Sequence, residues 1–189
     1  MAPRLPIRRV RRRRRAPPDS PFRLERSFPM RTKPTGTAVW LGLAGWVALA
    51  FLAALPGAFV TTAAAYRDFA QPSWAPPSWL FGPGWTTLYA LMGVAAWLVW
   101  KRGGFAAARV ALGLFLVQLA LNALWTPLFF GAGLRGWAFV DICALWAVLL
   151  ATVVAFFRQR KAAGWLLVPY LLWVTFAAAL NFAIWRMNA

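Results

Sequence analysis

The sequence predicts an all-α membrane protein, a five-transmembrane-helix bundle, and three observations carry that reading. Of the 189 residues, 61% are hydrophobic and the mean hydropathy is +0.58, far above the roughly 45–50% apolar content of soluble domains. Five apolar stretches fall near 38–58, 84–101, 107–130, 137–157 and 164–185, each close to the roughly 20 residues that a helix needs to cross hydrocarbon. Most breaks between them are short and polar or glycine-rich: Lys101-Arg102-Gly103-Gly104, Gly131 to Gly136, and Arg158 to Lys161. Successive helices joined this way are antiparallel neighbours.

Residues 1–35 precede the first stretch and are rich in Arg and Pro. Such a tract buries too little apolar surface to fold alone and is expected to be disordered. It lacks the apolar run of an ordinary signal peptide. Met30 stands just before the first apolar stretch, so a start at Met30 is the alternative to the expected start at Met1.

The connection from Tyr66 to Pro83 differs from the other breaks. It is long and interleaves Pro72, Pro76, Pro77 and Pro83 with Trp74, Trp79 and Phe81. Prolines restrict such a segment before it docks, so Tyr66, Pro72, Trp74, Pro76, Pro77 and Trp79 are candidates for a lid over one end of the bundle. An interfacial aromatic belt is the other reading.

The formal charge is +17, yet residues 1–36 hold 12 of the 21 Lys and Arg. The basicity is local, and no nucleic-acid partner is expected; membrane lipid headgroups are the natural partner of the tail. An N-in arrangement places the tail, Lys101, Arg102, Arg109, Arg158, Arg160 and Lys161 on one side, and Arg67, Arg135 and Arg186 on the other. The positive-inside rule then makes the N-terminus cytoplasmic.

The chain has no His, and its four acids are Asp19, Glu25, Asp68 and Asp141. That inventory removes the commonest general base and the commonest metal or haem ligand. No catalytic residue, metal site or required cofactor is expected. The single Cys143 lies in an apolar segment, where a small buried thiol is the ordinary expectation.

Polar side chains inside apolar segments are costly and face the bundle interior or a cavity; here they are Gln118, Asn122, Asp141 and Asn181. At helical spacing Gln118, Asn122, Trp125, Thr126, Phe129 and Phe130 share one face. Trp173, Phe176, Ala177, Leu180, Asn181, Ile184 and Trp185 form a second such face, and Trp85, Tyr89, Met92 and Gly93 a third. Three aromatic stripes with an amide or hydroxyl among them suit an apolar ligand pocket. They also suit helices packed through interhelical amide bonds, and periodicity does not separate the two.

Several segments together resemble a known family. Pro72-Ser73-Trp74-Ala75-Pro76-Pro77, the run Trp85 to Gly93, and the run Gln118 to Thr126 occur in order. Ala138-Phe139-Val140-Asp141, Pro169 to Trp173 and Leu180 to Trp185 follow. They resemble the TspO/MBR family of translocator and tryptophan-rich sensory proteins, over about residues 38–188. The resemblance implies a five-helix bundle that binds porphyrins, haem and other hydrophobic small molecules under its first loop. It implies pocket positions at Trp85, Asn122, Trp125, Asp141, Trp173, Phe176 and Ala177, to which the stripes add Thr126. A homodimer is implied too, and Gly104, Ala108 and Ala111 are small enough to admit a second helix. A bacterial cytoplasmic membrane is the expected location, with an outer membrane as the alternative. Gln71 and Ala65 depart from the family pattern, as does Phe182, which leaves a cholesterol motif incomplete.

Two functions follow as expectations. The first is an integral membrane porphyrin-binding protein that senses, regulates or transports tetrapyrroles as receptor or carrier. The alternative is light-dependent porphyrin degradation by pocket tryptophans, which requires no general base.

Overall fold

The computed structural model describes residues 36–58 and 62–188, and among them there are helices and no strands. The predicted tail at 1–35 and the choice between Met1 and Met30 lie outside the described residues.

Helix α1 spans Thr37–Leu52 and is apolar on every side, as a lipid-facing helix is. Trp40 and Leu41 are exposed and only Ala50 is fully buried within it. A turn at Ala53 and Ala54 leads into the short α2, Leu55–Ala58, so the predicted 38–58 stretch is broken near its end. Helix α3, Thr62–Asp68, precedes an irregular run and a single 3₁₀ turn at Ser78–Leu80. The predicted loop thus holds helical pieces of its own.

Helix α4, Phe81–Trp100, is deeply packed in the bundle. Met92, Ala95 and Ala96 are completely buried. Its approach to α1 needs a glycine, since a methyl at Gly93 would lie 2.5 Å from the Val47 Cα. Backbone cannot yield as a side-chain tip can. The predicted break at 101–104 runs on as a four-residue helix α5, Gly104–Ala107, with Gly104 at φ +69°.

Helix α6, Arg109–Thr126, passes directly into a π-helical turn, Pro127–Gly131. Pro127 has no N–H and its ring crowds the preceding turn, so the ladder widens: the Ala132 N–H donates to the Pro127 carbonyl at 2.8 Å. Such turns reorient the side chains they carry, here Phe129 and Phe130. Helices α7, Arg135–Gln159, and α8, Lys161–Met187, are longer at both ends than the predicted 137–157 and 164–185. Arg158, Gln159 and Lys161 are good helix formers, and the reversal is made by Arg160 alone, in an extended conformation.

Around the bundle α1 packs on α4, α4 on α8, α8 on α7 and α7 on α6. Trp46 of α1 meets Phe115 of α6 edge to face at 5.9 Å, which closes the ring. Four segments are long and apolar enough to cross a membrane: Thr37–Gly57, Arg109–Gly131, Arg135–Gln159 and Lys161–Met187. Helix α4 is comparable in length but carries Trp85, Trp97, Trp100 and Tyr89, and Pro83 and two threonines near its start. A helix enclosed by its neighbours need not be as apolar as one that faces lipid.

Two expectations are corrected. Cys143 is exposed rather than buried, because the inward face of α7 is taken by Ile142, Leu145 and Leu149. Of the three small residues Gly104, Ala108 and Ala111, the two alanines are buried by this chain's own helices, and Gly104 alone stays partly open.

Candidate functional site

Among the described residues, the connections 53–58, 62–80 and 127–134 lie at the end of the bundle where α4 and α7 begin and α6 and α8 end. Beneath them is a cavity of about 460 Å³, within the roughly 300–1,000 Å³ of small-molecule sites. Trp85 and Tyr89 of α4, Trp125 and Thr126 of α6, and Trp173 and Ala177 of α8 line it. Phe129 and Phe130 enter through the π-helical turn, and Ala54, Gly57, Tyr66, Ser78 and Trp79 close the loop side.

The walls are aromatic and mutually braced. Trp85 stacks on Tyr89 with ring centres 5.4 Å apart and stands almost perpendicular to Trp173 at 6.2 Å. Trp125 stacks on Phe129 at 4.9 Å. Offset and edge-to-face contacts at such separations are the favourable ones for aromatic pairs, so the rings hold one another against collapse into the space.

Polar groups in the walls are joined in two chains. The Tyr89 hydroxyl donates to Asn122 Oδ1 at 2.7 Å, and Asn122 Nδ2 donates to the Tyr170 hydroxyl at 3.1 Å. One amide therefore ties α4, α6 and α8 together, with each of its ends matched to a suitable partner. Trp125 Nε1 donates to Asn181 Oδ1 at 2.9 Å, and Asn181 Nδ2 donates to the Arg135 carbonyl at 3.1 Å. The Trp173 indole N–H is buried and has no partner among the described residues.

The TspO/MBR family profile matches residues 39–186, a range that runs from α1 to the end of α8. The chain belongs to the TspO/MBR family. It is 49% identical over 125 residues to the translocator protein of Sus scrofa, covering 65% of this chain and 74% of that one. It is 41% identical over 136 residues to protein CrtK of Rhodobacter capsulatus, covering 70% and 83%. Against the tryptophan-rich protein TspO of Archaeoglobus fulgidus it is 44% identical over 124 residues, covering 66% and 80%. It is accordingly an integral, multi-pass membrane protein.

In this TspO/MBR chain the cavity brings together six of the eight candidate binding residues: Trp85, Asn122, Trp125, Thr126, Trp173 and Ala177. Phe176 and Asp141 are placed elsewhere. Phe176 receives Trp74 of the loop edge to face at 5.8 Å, so it serves the docking of the loop. Asp141 is buried on the inward side of α7 but does not line the cavity; Ile142 and Leu145 are what α7 offers it. Of the candidate lid residues, Tyr66 and Trp79 reach the cavity, whereas Pro72, Trp74, Pro76 and Pro77 do not line it. Pro76 does hold Tyr66, whose hydroxyl donates to its carbonyl at 3.1 Å.

Tyr170 was not among the candidates, although Tyr170, Trp173, Ala177 and Asn181 fall at i, i+3, i+7 and i+11. Extending the α8 stripe by one turn would have found it. Asn188 carried no such signal, for it stands beyond the last apolar segment.

Proposed function

We propose that the protein crosses the membrane with all five long helices and binds porphyrins, free or as haem, in the cavity beneath its first connection. It acts there as a sensor, regulator or carrier of tetrapyrroles and related flat hydrophobic molecules. The observation that carries this reading is the cavity itself, lined by the indoles of Trp79, Trp85, Trp125 and Trp173, with Trp85 and Trp173 nearly perpendicular. A planar conjugated macrocycle stacks on such walls, whereas a chain lipid gains nothing from their orientation. Among the described residues no charged side chain lines the cavity, so a ligand's carboxylates point out of its mouth. Arg67 and Arg135 lie at that end, and Arg135 is held with its guanidinium 4.5 Å from the Phe69 ring centre. With no imidazole in the chain, recognition rests on the macrocycle rather than on iron, and protoporphyrin IX should bind about as well as haem.

Quenching of tryptophan fluorescence by protoporphyrin IX in purified protein tests this. Trp173→Phe is expected to keep the fold and weaken binding about fivefold, the loss of roughly 1 kcal/mol of stacking. Trp146→Phe is the matched control, because Trp146 lies outside the cavity on the α7–α8 surface, its indole N–H bonded to the Thr175 hydroxyl at 2.8 Å. Equal affinity in the two variants would assign the cavity aromatics to packing alone.

For orientation, the proposal puts the 101–108 and 158–161 connections and the N-terminus in the cytoplasm. Lys101, Arg102, Arg109, Arg158, Arg160 and Lys161 gather at that end, against Arg67, Arg135 and Arg186 at the other. The membrane is then a bacterial cytoplasmic one, with the cavity mouth facing away from the cytoplasm. Alkylation of an introduced Ala75→Cys, in a Cys143→Ser background, is expected only from the non-cytoplasmic face. Reaction from the cytoplasmic face alone would invert the topology.

A further inference from the structure

One wall of the cavity at its outer end is Tyr66, which lines it beside the mouth, with Phe69 on the same segment. Phe69 meets Phe129 edge to face at 5.8 Å and stacks on Phe130 at 6.1 Å. Opening the cavity on this side means lifting the Tyr66–Ala70 segment from those rings. What holds the segment down is therefore what sets the rate of opening.

Part of the hydrogen bonding in this region ties the loop only to itself: Tyr66 to Pro76, Gln71 to the Tyr66 carbonyl, and the Ala75 N–H to the Pro72 carbonyl at 2.9 Å. Among the described residues, the hydrogen bonds from 66–76 to the long helices or their caps all run through one side chain. Asn188, at the C-terminal cap of α8, accepts from the Ala70 N–H at 3.0 Å and donates to the Ala70 carbonyl at 2.9 Å. The pair spans 118 positions of sequence. Asn188 is itself fixed by donating from Nδ2 to the Ile184 carbonyl at 2.8 Å. Arg135 completes the attachment, with its guanidinium over Phe69 and directed to the Asn188 carbonyl at 3.5 Å.

We propose that Asn188, supported by Arg135, is a latch: a positioning residue that holds the cavity's outer wall shut and sets how fast ligand enters and leaves, without touching the ligand. Its chemistry fits the task. A primary amide offers one donor and one acceptor side by side, matching the N–H and C=O of a single backbone residue as a short piece of sheet would. Both bonds are exposed to solvent, so each is weak enough to break and re-form, unlike the buried Asn122 pair. A group that stabilises the closed wall in free and loaded protein alike raises the barrier to opening and leaves the relative energies of those two states alone. Asn188 is not part of the cavity lining.

The latch rests on the cavity being the binding site, and two experiments separate its failure from failure of that reading. In stopped-flow quenching by protoporphyrin IX, Asn188→Ala in the full chain is expected to raise association and dissociation rates together, about tenfold for the loss of two exposed hydrogen bonds. The dissociation constant should move less than about twofold. Asn188→Asp retains size and acceptor but loses the donor to Ala70, and should act in the same direction. Unchanged rates, or a faster dissociation with unchanged association, would overturn the latch, the latter making Asn188 a ligand contact. The second experiment uses no porphyrin: Ala177→Cys in a Cys143→Ser background places a thiol in the cavity, and its alkylation by a small water-soluble maleimide is timed. Asn188→Ala should accelerate this reaction about tenfold. If porphyrin fails to bind but alkylation accelerates, the latch stands and the ligand assignment falls; equal alkylation rates sink the latch whatever binds.

Discussion

Asn122→Leu is expected to destabilise the folded bundle by about 2–3 kcal/mol, read as a lower midpoint in SDS titration or thermal melting in detergent. Interhelical hydrogen bonds in membranes average only about 0.6 kcal/mol and reach about 1.7, because partly unfolded helices in the bilayer find other partners. Asn122 makes two of them, to Tyr89 and to Tyr170, and joins three helices rather than two. The variant also strands the Tyr170 hydroxyl, which is completely buried. Leaving a buried polar group unmatched costs more than deleting both partners. The double variant Asn122→Leu with Tyr170→Phe should therefore recover about 1 kcal/mol relative to the single one. An Asn122→Leu protein as stable as the parent would show that the amide orients nothing and that apolar packing alone sets these helices.

The outcome for Asn122 bears on how the chain could be read in advance. Periodicity of 3.6 residues groups Asn122, Trp125 and Thr126 without any knowledge of neighbours, and all three do face the cavity. Asp141 shows where that logic ends. A single acid in an apolar helix draws attention, yet the rotation of α7 about its own axis is fixed by how Ile142, Leu145 and Leu149 pack. Asp141 lies about 100° from Ile142 around the helix but only about 40° from Leu145, so periodicity alone does not tell which of the three lines the cavity. The joint between α7 and α8 was blurred for a different reason. Arg158, Gln159 and Lys161 look like a polar loop, but charge at a membrane surface is compatible with helix, and nothing there breaks one. Asn188 was illegible altogether, because its value lies in meeting Ala70 from the far end of the chain.

Ala177→Phe is expected to abolish detectable porphyrin binding, an affinity loss of at least about a hundredfold, or roughly 2.7 kcal/mol, while the protein remains as stable as its parent or becomes more so. Ala177 lies on the cavity face of α8, one turn from Trp173 and one from Asn181. A phenyl ring there has somewhere to go, since the space beside it amounts to about 460 Å³. Filling an apolar cavity adds burial without displacing packed atoms, and such changes commonly gain about 0.5–2 kcal/mol of stability. The same ring occupies volume that a macrocycle needs, and two bodies in one space cost far more than the loss of a stacking contact. This opposition of signs is what makes the variant informative. If the aromatic stripes served only to pack helices, extra bulk would strain them, and stability would fall by about 1–3 kcal/mol. A folded, stabilised Ala177→Phe protein that still quenches with protoporphyrin IX at parental affinity would place the ligand outside this cavity, on another face of the bundle.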